Sequence, residues 1–215
     1  MFLRERRYDT LTHLLTIHRL LMQMDHIEPV TKDEIGDLLS RWMEGDRKAG
    51  DRLFSTLYQE LRKLARHQIR HHPKVATLDT TALIHEAFLK LMRGSRQPVL
   101  DRGHFLALAS RVMRQILMDS LRKKSASKRD GGPPVPLGMD PPAPLARSSE
   151  DLLALDEALL KLESMEPRLA QMVDLRFFGG MSVDETAEAI GISAATLKRD
   201  WLKARAFLLK EMSQP

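Results

Sequence analysis

Residues 184–201 read DETAEAIGISAATLKRDW. An acidic stretch runs into Gly191-Ile192-Ser193, and a basic stretch follows. Ser182, with Glu185 three positions on, forms a capping-box pattern that opens a first helix. Ala187 is small where two helices must cross closely. Gly191 stands at the turn, where a positive φ is often required. Ser193 is suited to cap the second helix. Leu197, Trp201, Ala204 and Leu208 then form one apolar stripe. A helix, a three-residue turn with glycine, and a second helix make the helix-turn-helix layout.

The charges sharpen that reading. Residues 182–191 carry Asp184, Glu185 and Glu188 and no basic residue. Residues 194–210 carry Lys198, Arg199, Lys203, Arg205 and Lys210 against a single Asp200. Thr196, Arg199 and Lys203 fall on the face away from the apolar stripe. Such a helix can lie in the major groove of DNA, its N-terminal residues at base edges and its cations at phosphates. The plainer alternative is a helical hairpin with a solvated basic face.

Working outward, the chain has 215 residues, enough for one large or two small domains. Hydrophobic residues make up 43% and charged residues 29%, which suits a soluble core. The net charge of +5 points weakly toward an acidic partner such as nucleic acid. The chain has no cysteine, which excludes disulfides, Cys-ligated zinc and a Cys nucleophile, and fits a cytoplasmic protein. No apolar run approaches the roughly 20 residues a membrane span needs, so no membrane insertion is expected. His13, His18 and Arg19 interrupt the apolar N-terminal stretch, which argues against a secretory signal.

The clearest boundary is DGGPPVPLGMDPPAPLARSS at 130–149, with six of the 11 prolines and no apolar periodicity. It reads as a Pro/Gly-rich, semi-rigid linker between two helical halves. In the first half, Thr31-Lys32-Asp33-Glu34 is a capping box, followed by Ile35, Leu38, Leu39 and Trp42 at helical spacing. Leu53, Phe54, Leu57, Leu61, Leu64 and Ala65 mark a second helix. Leu83, Ile84, Ala87, Phe88 and Leu91 mark a third, and Phe105, Leu108, Ala109, Val112, Ile116 and Leu117 a fourth. In the second half, an acidic helix covers about 150–164, and another opens at Pro167 and ends at Gly179-Gly180. Two more cover 182–190 and 193–212. No run alternates as a strand would, so the expected class is all-α. Residues 1–30 lie outside both units, as a poorly ordered extension.

Three motifs now carry a resemblance. RFFGGMSVDETAEAIGISAATLKRDWLKARAFL, TALIHEAFLKL and HFLALASRVMRQILMDSLRKK, in that arrangement around the linker, resemble bacterial sigma factors of the extracytoplasmic-function type, within the sigma-70 family. The resemblance covers about residues 31–212. It implies a region 2-like four-helix domain at 31–129, the linker at 130–149, and a region 4-like helix-turn-helix domain at 150–215. In that family the first domain holds the β′ clamp helices of core RNA polymerase and opens the −10 element. The second reads the −35 element as duplex DNA. The expected partners are therefore core RNA polymerase, promoter DNA and, as a candidate regulator, an anti-sigma factor.

Carried over residue by residue, the polymerase-binding set is His85, Glu86, Phe88 and Leu89. The family has Gln-Glu where this chain has His85-Glu86, so Glu86 is the better-supported contact. The −10 set is Arg111, Arg114, Gln115, Asp119, Arg122, Lys123 and Lys124. Arg111, Arg114, Gln115 and Asp119 are expected on or near the outer surface. From Arg111 to Arg129 there are seven basic residues and one acidic residue, a composition that tracks a phosphate backbone. The family captures a flipped base with the preceding loop, here roughly 93–104. The −35 set is Ser193, Thr196, Lys198, Arg199, Lys203 and Arg205.

Other chemistry finds little support. His67 and His71 are at a metal-compatible spacing, but no third ligand follows and Arg66 and Arg70 would repel a cation. The stretch GDRKAGD lacks the Gly-Lys-Ser/Thr of a phosphate loop, and no nucleophile elbow is present. No catalytic residue, cofactor, metal or small-molecule substrate is expected. The rival reading is a stand-alone helix-turn-helix regulator that binds duplex DNA without joining the polymerase.

Overall fold

The computed structural model describes residues 31–71, 79–94, 101–128 and 149–213, and these are all-helical. The N-terminal extension at 1–30 and the linker at 130–149, apart from Ser149, lie outside the described residues. The first half holds α1 (Lys32–Met43), α2 (Arg47–Thr56), α3 (Tyr58–His71), α4 (Thr80–Gly94) and α5 (Arg102–Lys128). The second holds α6 (Ser149–Met165), α7 (Pro167–Val173), a π turn (Asp174–Phe178), α8 (Val183–Ala189) and α9 (Ala194–Met212).

Local sequence explains the helix ends. Thr31 and Glu34 form the reciprocal capping box: Thr31 Oγ1 accepts from the Glu34 amide at 3.3 Å, and the Thr31 amide donates to Glu34 Oε2 at 2.8 Å. Asp46 caps α2 by accepting from the Lys48 and Ala49 amides. Pro167 occupies the first turn of α7, where its missing N–H is not needed. The Leu53–Ala65 stripe belongs to two helices rather than to one. Leu57 leaves the helical region at φ −96° and ψ 7°, yet its carbonyl still accepts from Leu61. The joint is one residue long, so the apolar spacing passes through it unbroken.

In the first half, aromatic side chains lock four helices together. Trp42 of α1 meets Phe105 of α5 edge to face at 5.7 Å, and Phe54 of α2 packs on Phe88 of α4 at 4.3 Å. The Trp42 indole N–H donates to Met92 Sδ. Leu39, Leu53, Leu61, Leu83 and Leu117 are buried around them. At about 1.5–3 kcal/mol for each large apolar side chain removed from water, this core dominates the stability of the half.

The two halves are packed against each other. The acidic helix α6, the α7–π segment and α8 all lie on α5. The approach is close at two places. A Cβ at Gly103, in the first turn of α5, would collide with the Ala189 carbonyl at the end of α8. A Cβ at Gly180 would run into the His67 ring of α3, whose Nε2 lies 3.3 Å from the Phe177 carbonyl. A buried polar chain ties the halves further. Gln68 Nε2 donates to the Ser110 carbonyl at 3.0 Å, and the Ser110 hydroxyl donates to the Asp174 carbonyl at 2.8 Å. Every member is buried, so each bond satisfies a group that would otherwise be costly to keep dry.

Candidate nucleic-acid interface

The helix-turn-helix is α8, its turn, and α9. Ser182 and Glu185 form the second reciprocal capping box, at the start of α8. Hydrogen bonds from the Ser182 amide and hydroxyl hold the Glu185 carboxyl below its usual pKa, against a smaller upward push from burial. The end of α8 is a Schellman arrangement. Gly191 takes φ +70°, its amide donates to the Glu188 carbonyl, and the Ile192 amide donates to the Ala187 carbonyl at 3.0 Å. Only glycine enters that backbone region without a steric penalty. Ser193 then caps α9, its hydroxyl accepting from the Thr196 amide at 3.1 Å.

Leu197, Ala204 and Leu208 are fully buried, and Trp201 is half-buried beneath the Arg176 guanidinium, 5.0 Å from the ring centroid. The opposite face is open. The Arg199 side chain is 68% exposed and that of Lys203 65%, with Lys198 and Arg205 exposed beside them. Thr196 is half-buried against its own cap. Asp200, the single acid of the helix, is buried and accepts from Arg168 of α7 at 2.7 Å. It fastens α9 to its support, and its Oδ1 also lies 3.8 Å from Arg199 Nε and 4.0 Å from Lys203 Nζ at the edge of the open face. Leu202, 65% exposed among the cations, was missed by the sequence reading. The available signal was an apolar residue lying off the Leu197–Leu208 stripe.

On α4, Glu86 is exposed, while His85 and Leu89 are half-buried. Phe88 departs from its expected place as a polymerase contact. It is 3% exposed and stacked on Phe54, because the helix turns its Ile84–Phe88–Leu91 side to the core.

The largest correction falls on α5. Arg114 was expected on or near the outer surface, and it is 1% exposed. Its Nε donates to Asp174 Oδ1 at 2.8 Å, its Nη1 bonds to Asp156 Oδ1, and its guanidinium lies 5.4 Å from the Phe178 ring centroid. Arg111, only partly exposed, pairs with Glu163 of α6. Arg122 reaches Asp156 Oδ2 at 2.7 Å and Asp119 at 3.5 Å. Gln115 is half-buried, Asp119 is exposed and lies 3.4 Å from Lys90, and Lys123 is exposed. The Lys124 side chain lies outside the described residues, as do residues 95–100 of the loop assigned to a flipped base. The second half thus encloses Arg114 and partly covers Arg111, while Asp119, Arg122 and Lys123 of the −10 assignment stay exposed. Burial pushes the Asp174 carboxyl up to about 6, more than its bond to Arg114 lowers it.

Among the described residues no helix is long and apolar enough to cross a membrane. The chain is 27% identical over 175 residues to the ECF RNA polymerase sigma factor SigM of Mycobacterium tuberculosis strain Erdman, covering 81% of this chain and 82% of that protein. The same figures hold for SigM of strain H37Rv. A family model described as ECF sigma factor matches residues 32–214, nearly the whole chain. The chain belongs to the ECF sigma factor family of RNA polymerase sigma factors.

Proposed function

We propose that this sigma factor binds core RNA polymerase through α4, with Glu86 as the main exposed contact, His85 and Leu89 beside it, and the β′ clamp helices as the surface met. It directs initiation at promoters with −10 and −35 elements. The observation that carries the DNA half of the reading is the open basic face of α9 on a capped and anchored helix. Ser193, Thr196 and Arg199 sit nearest the base edges of the −35 duplex, with Lys198, Lys203 and Arg205 at phosphates. Leu202 adds an apolar contact of the kind that reads a thymine methyl group. The α5 face, with Arg111, Arg114, Gln115, Asp119, Arg122, Lys123 and Lys124, engages the −10 region once it is uncovered. The protein contributes binding energy that selects start sites, and the polymerase carries out the chemistry.

The test is reconstitution with bacterial core RNA polymerase on size exclusion, beside a Glu86→Lys variant. Co-elution of the wild type and its loss in the variant is the expected result. A wild type that stays apart from a competent core, yet footprints duplex DNA alone, would return the protein to the class of stand-alone regulators.

A further inference from the structure

We propose that Arg176 of the π turn is a DNA contact in its own right: stacked on Trp201, its guanidinium takes a phosphate of the strand that runs along that edge of α9. The proposal rests on the placement of α9 in the major groove given above.

A charge imbalance singles the residue out. Arg102, Arg111 and Arg114 are also covered to some degree, and each meets a carboxylate, from Glu60, from Glu163, and from Asp156 with Asp174. Arg176 is half-buried, and among the described residues it meets none. Its Nε is buried without a hydrogen-bond partner. Burial lowers its pKa, with no acid opposing the shift. What the guanidinium does meet is the Trp201 ring, whose centroid lies 5.0 Å away. A ring face attracts a cation but gives no acceptor to the in-plane N–H groups of a guanidinium. Those donors suit a two-pronged contact with a phosphate. Partial removal of the cation from water strengthens its attraction to that anion.

The local backbone explains why the side chain stands there. In the π turn the Gly179 amide donates to the Asp174 carbonyl at 2.8 Å, which widens the turn by one residue. Leu175 and Phe178 are buried in the core, and Arg176 is left on the side that meets α9. Trp201 has Lys198 three positions before it and Arg205 four after, on the same side of the helix, and both are exposed. Arg176 thus stands over the middle of a stretch bounded by two cations about 10 Å apart along the helix axis. Arg199 and Lys203 lie across the helix from Trp201. The Trp201 edge is therefore cationic along its length and suits the phosphates of one strand, a contact that fixes register and carries no sequence information.

A purely structural strut would also stack Arg176 on Trp201, so the phosphate itself must be read. A duplex selected from random sequence by the wild-type holoenzyme, formed with core RNA polymerase, supplies the probe. Each phosphate across its −35 half is replaced in turn by a neutral methylphosphonate. Affinity is measured for the wild type, Arg176→Gln, Arg176→Lys and Lys203→Ala. The expected result is one linkage whose neutralisation weakens the wild type about fivefold or more and leaves Arg176→Gln unchanged. On unmodified DNA, Arg176→Gln should weaken all sequences alike and lower the salt slope by about one. Arg176→Lys keeps the charge and should keep the response at that linkage. An Arg176→Gln protein that answers every neutral linkage as the wild type does, or loses affinity at an unchanged salt slope, would overturn the proposal and leave a strut. If Lys203→Ala loses a linkage response while Arg176→Gln loses none, α9 stands in the groove and Arg176 alone is refuted. If the wild type responds at no linkage, the placement of α9 falls and the proposal with it. Trp201→Leu removes the ring face, and its effect should shrink when Arg176→Gln is already present. Fully additive losses would overturn the presentation of the guanidinium by Trp201.

Discussion

Arg114 and Asp174 stand 60 positions apart in the chain and meet through a 2.8 Å hydrogen bond from guanidinium Nε to carboxylate Oδ1. Asp156 shares the same guanidinium from 42 positions away. Arg114 thus serves two buried carboxylates, of which Asp156 also accepts from Arg122 at 2.7 Å, and the energetics of the site follow from that sharing.

Removing the cation should cost more than removing the whole cluster. Arg114→Ala leaves Asp174 without its hydrogen-bonded cation and Asp156 with Arg122 alone, and is expected to lower unfolding stability by about 3–5 kcal/mol. Replacing Arg114, Asp156 and Asp174 together by Met, Leu and Leu should be near neutral or stabilising. Urea denaturation of the three proteins checks the order. A single variant as stable as the triple would refute the shared-charge account.

The same site sets a pH dependence. Burial raises the Asp174 carboxyl to about 6 from an ordinary 3.8, against the opposing pull of Arg114 and Arg111 and with help from Glu163. The folded protein therefore holds this proton more tightly than the unfolded chain does. The resulting stabilisation is fully present below about pH 3.8 and is lost as pH rises through about 6. Glu185 acts in the opposite sense: its lowered pKa gives stability above its ordinary 4.5 that is lost on acidification. Stability curves of wild type and Asp174→Asn, compared point by point, isolate the first effect. The difference, wild type minus variant, should fall between about pH 4 and 6. A difference that rises with pH would contradict the burial argument.

Two glycine-to-alanine changes should have opposite signs. Gly36 lies inside α1 with no atom near an added Cβ, so Gly36→Ala is expected to stabilise by about 0.5–1 kcal/mol through lost chain entropy. Gly191 also has space around it, but its φ of +70° is strained for alanine, and Gly191→Ala should cost about 1–2 kcal/mol. Thermal unfolding midpoints that move in opposite directions are the expected readout.

On DNA, the proposed roles along α9 separate by salt dependence. Arg199→Ala should weaken duplex −35 binding by about 1–3 kcal/mol and relax discrimination at one base pair. Lys203→Ala should weaken all sequences alike and reduce the salt slope by about one. Titrations of holoenzyme on matched and mismatched promoters distinguish them. If Arg199→Ala binds every promoter at wild-type strength, the placement of α9 in the groove is wrong.

Some of this architecture is legible without coordinates because its causes are local. The Thr31–Glu34 and Ser182–Glu185 capping boxes, the cap at Ser193 and the positive φ at Gly191 each depend on residues within about one helical turn. The buried stripe Leu197–Ala204–Leu208 follows from the period of the helix. The break at Leu57 is different. Leu53, Leu57, Leu61 and Leu64 keep helical spacing across it, so composition carries no sign of a one-residue joint.

Amino-acid order alone thus determined most of the helices, several of their caps, the helix-turn-helix and the family, since these rest on periodicity and on contacts a few residues long. Tertiary structure alone decided which faces the solvent reaches. Phe88 reads as one apolar residue among several until Phe54 stacks on it. Arg114 reads as a surface cation because an arginine is seldom enclosed without partners. Its partners come from α6 and the π turn, beyond the linker, and a carboxylate 42 or 60 positions away leaves no periodic trace near residue 114. Desolvation and pairing of that charge depend on how whole helices pack, and they settle whether the basic side of α5 is open or held.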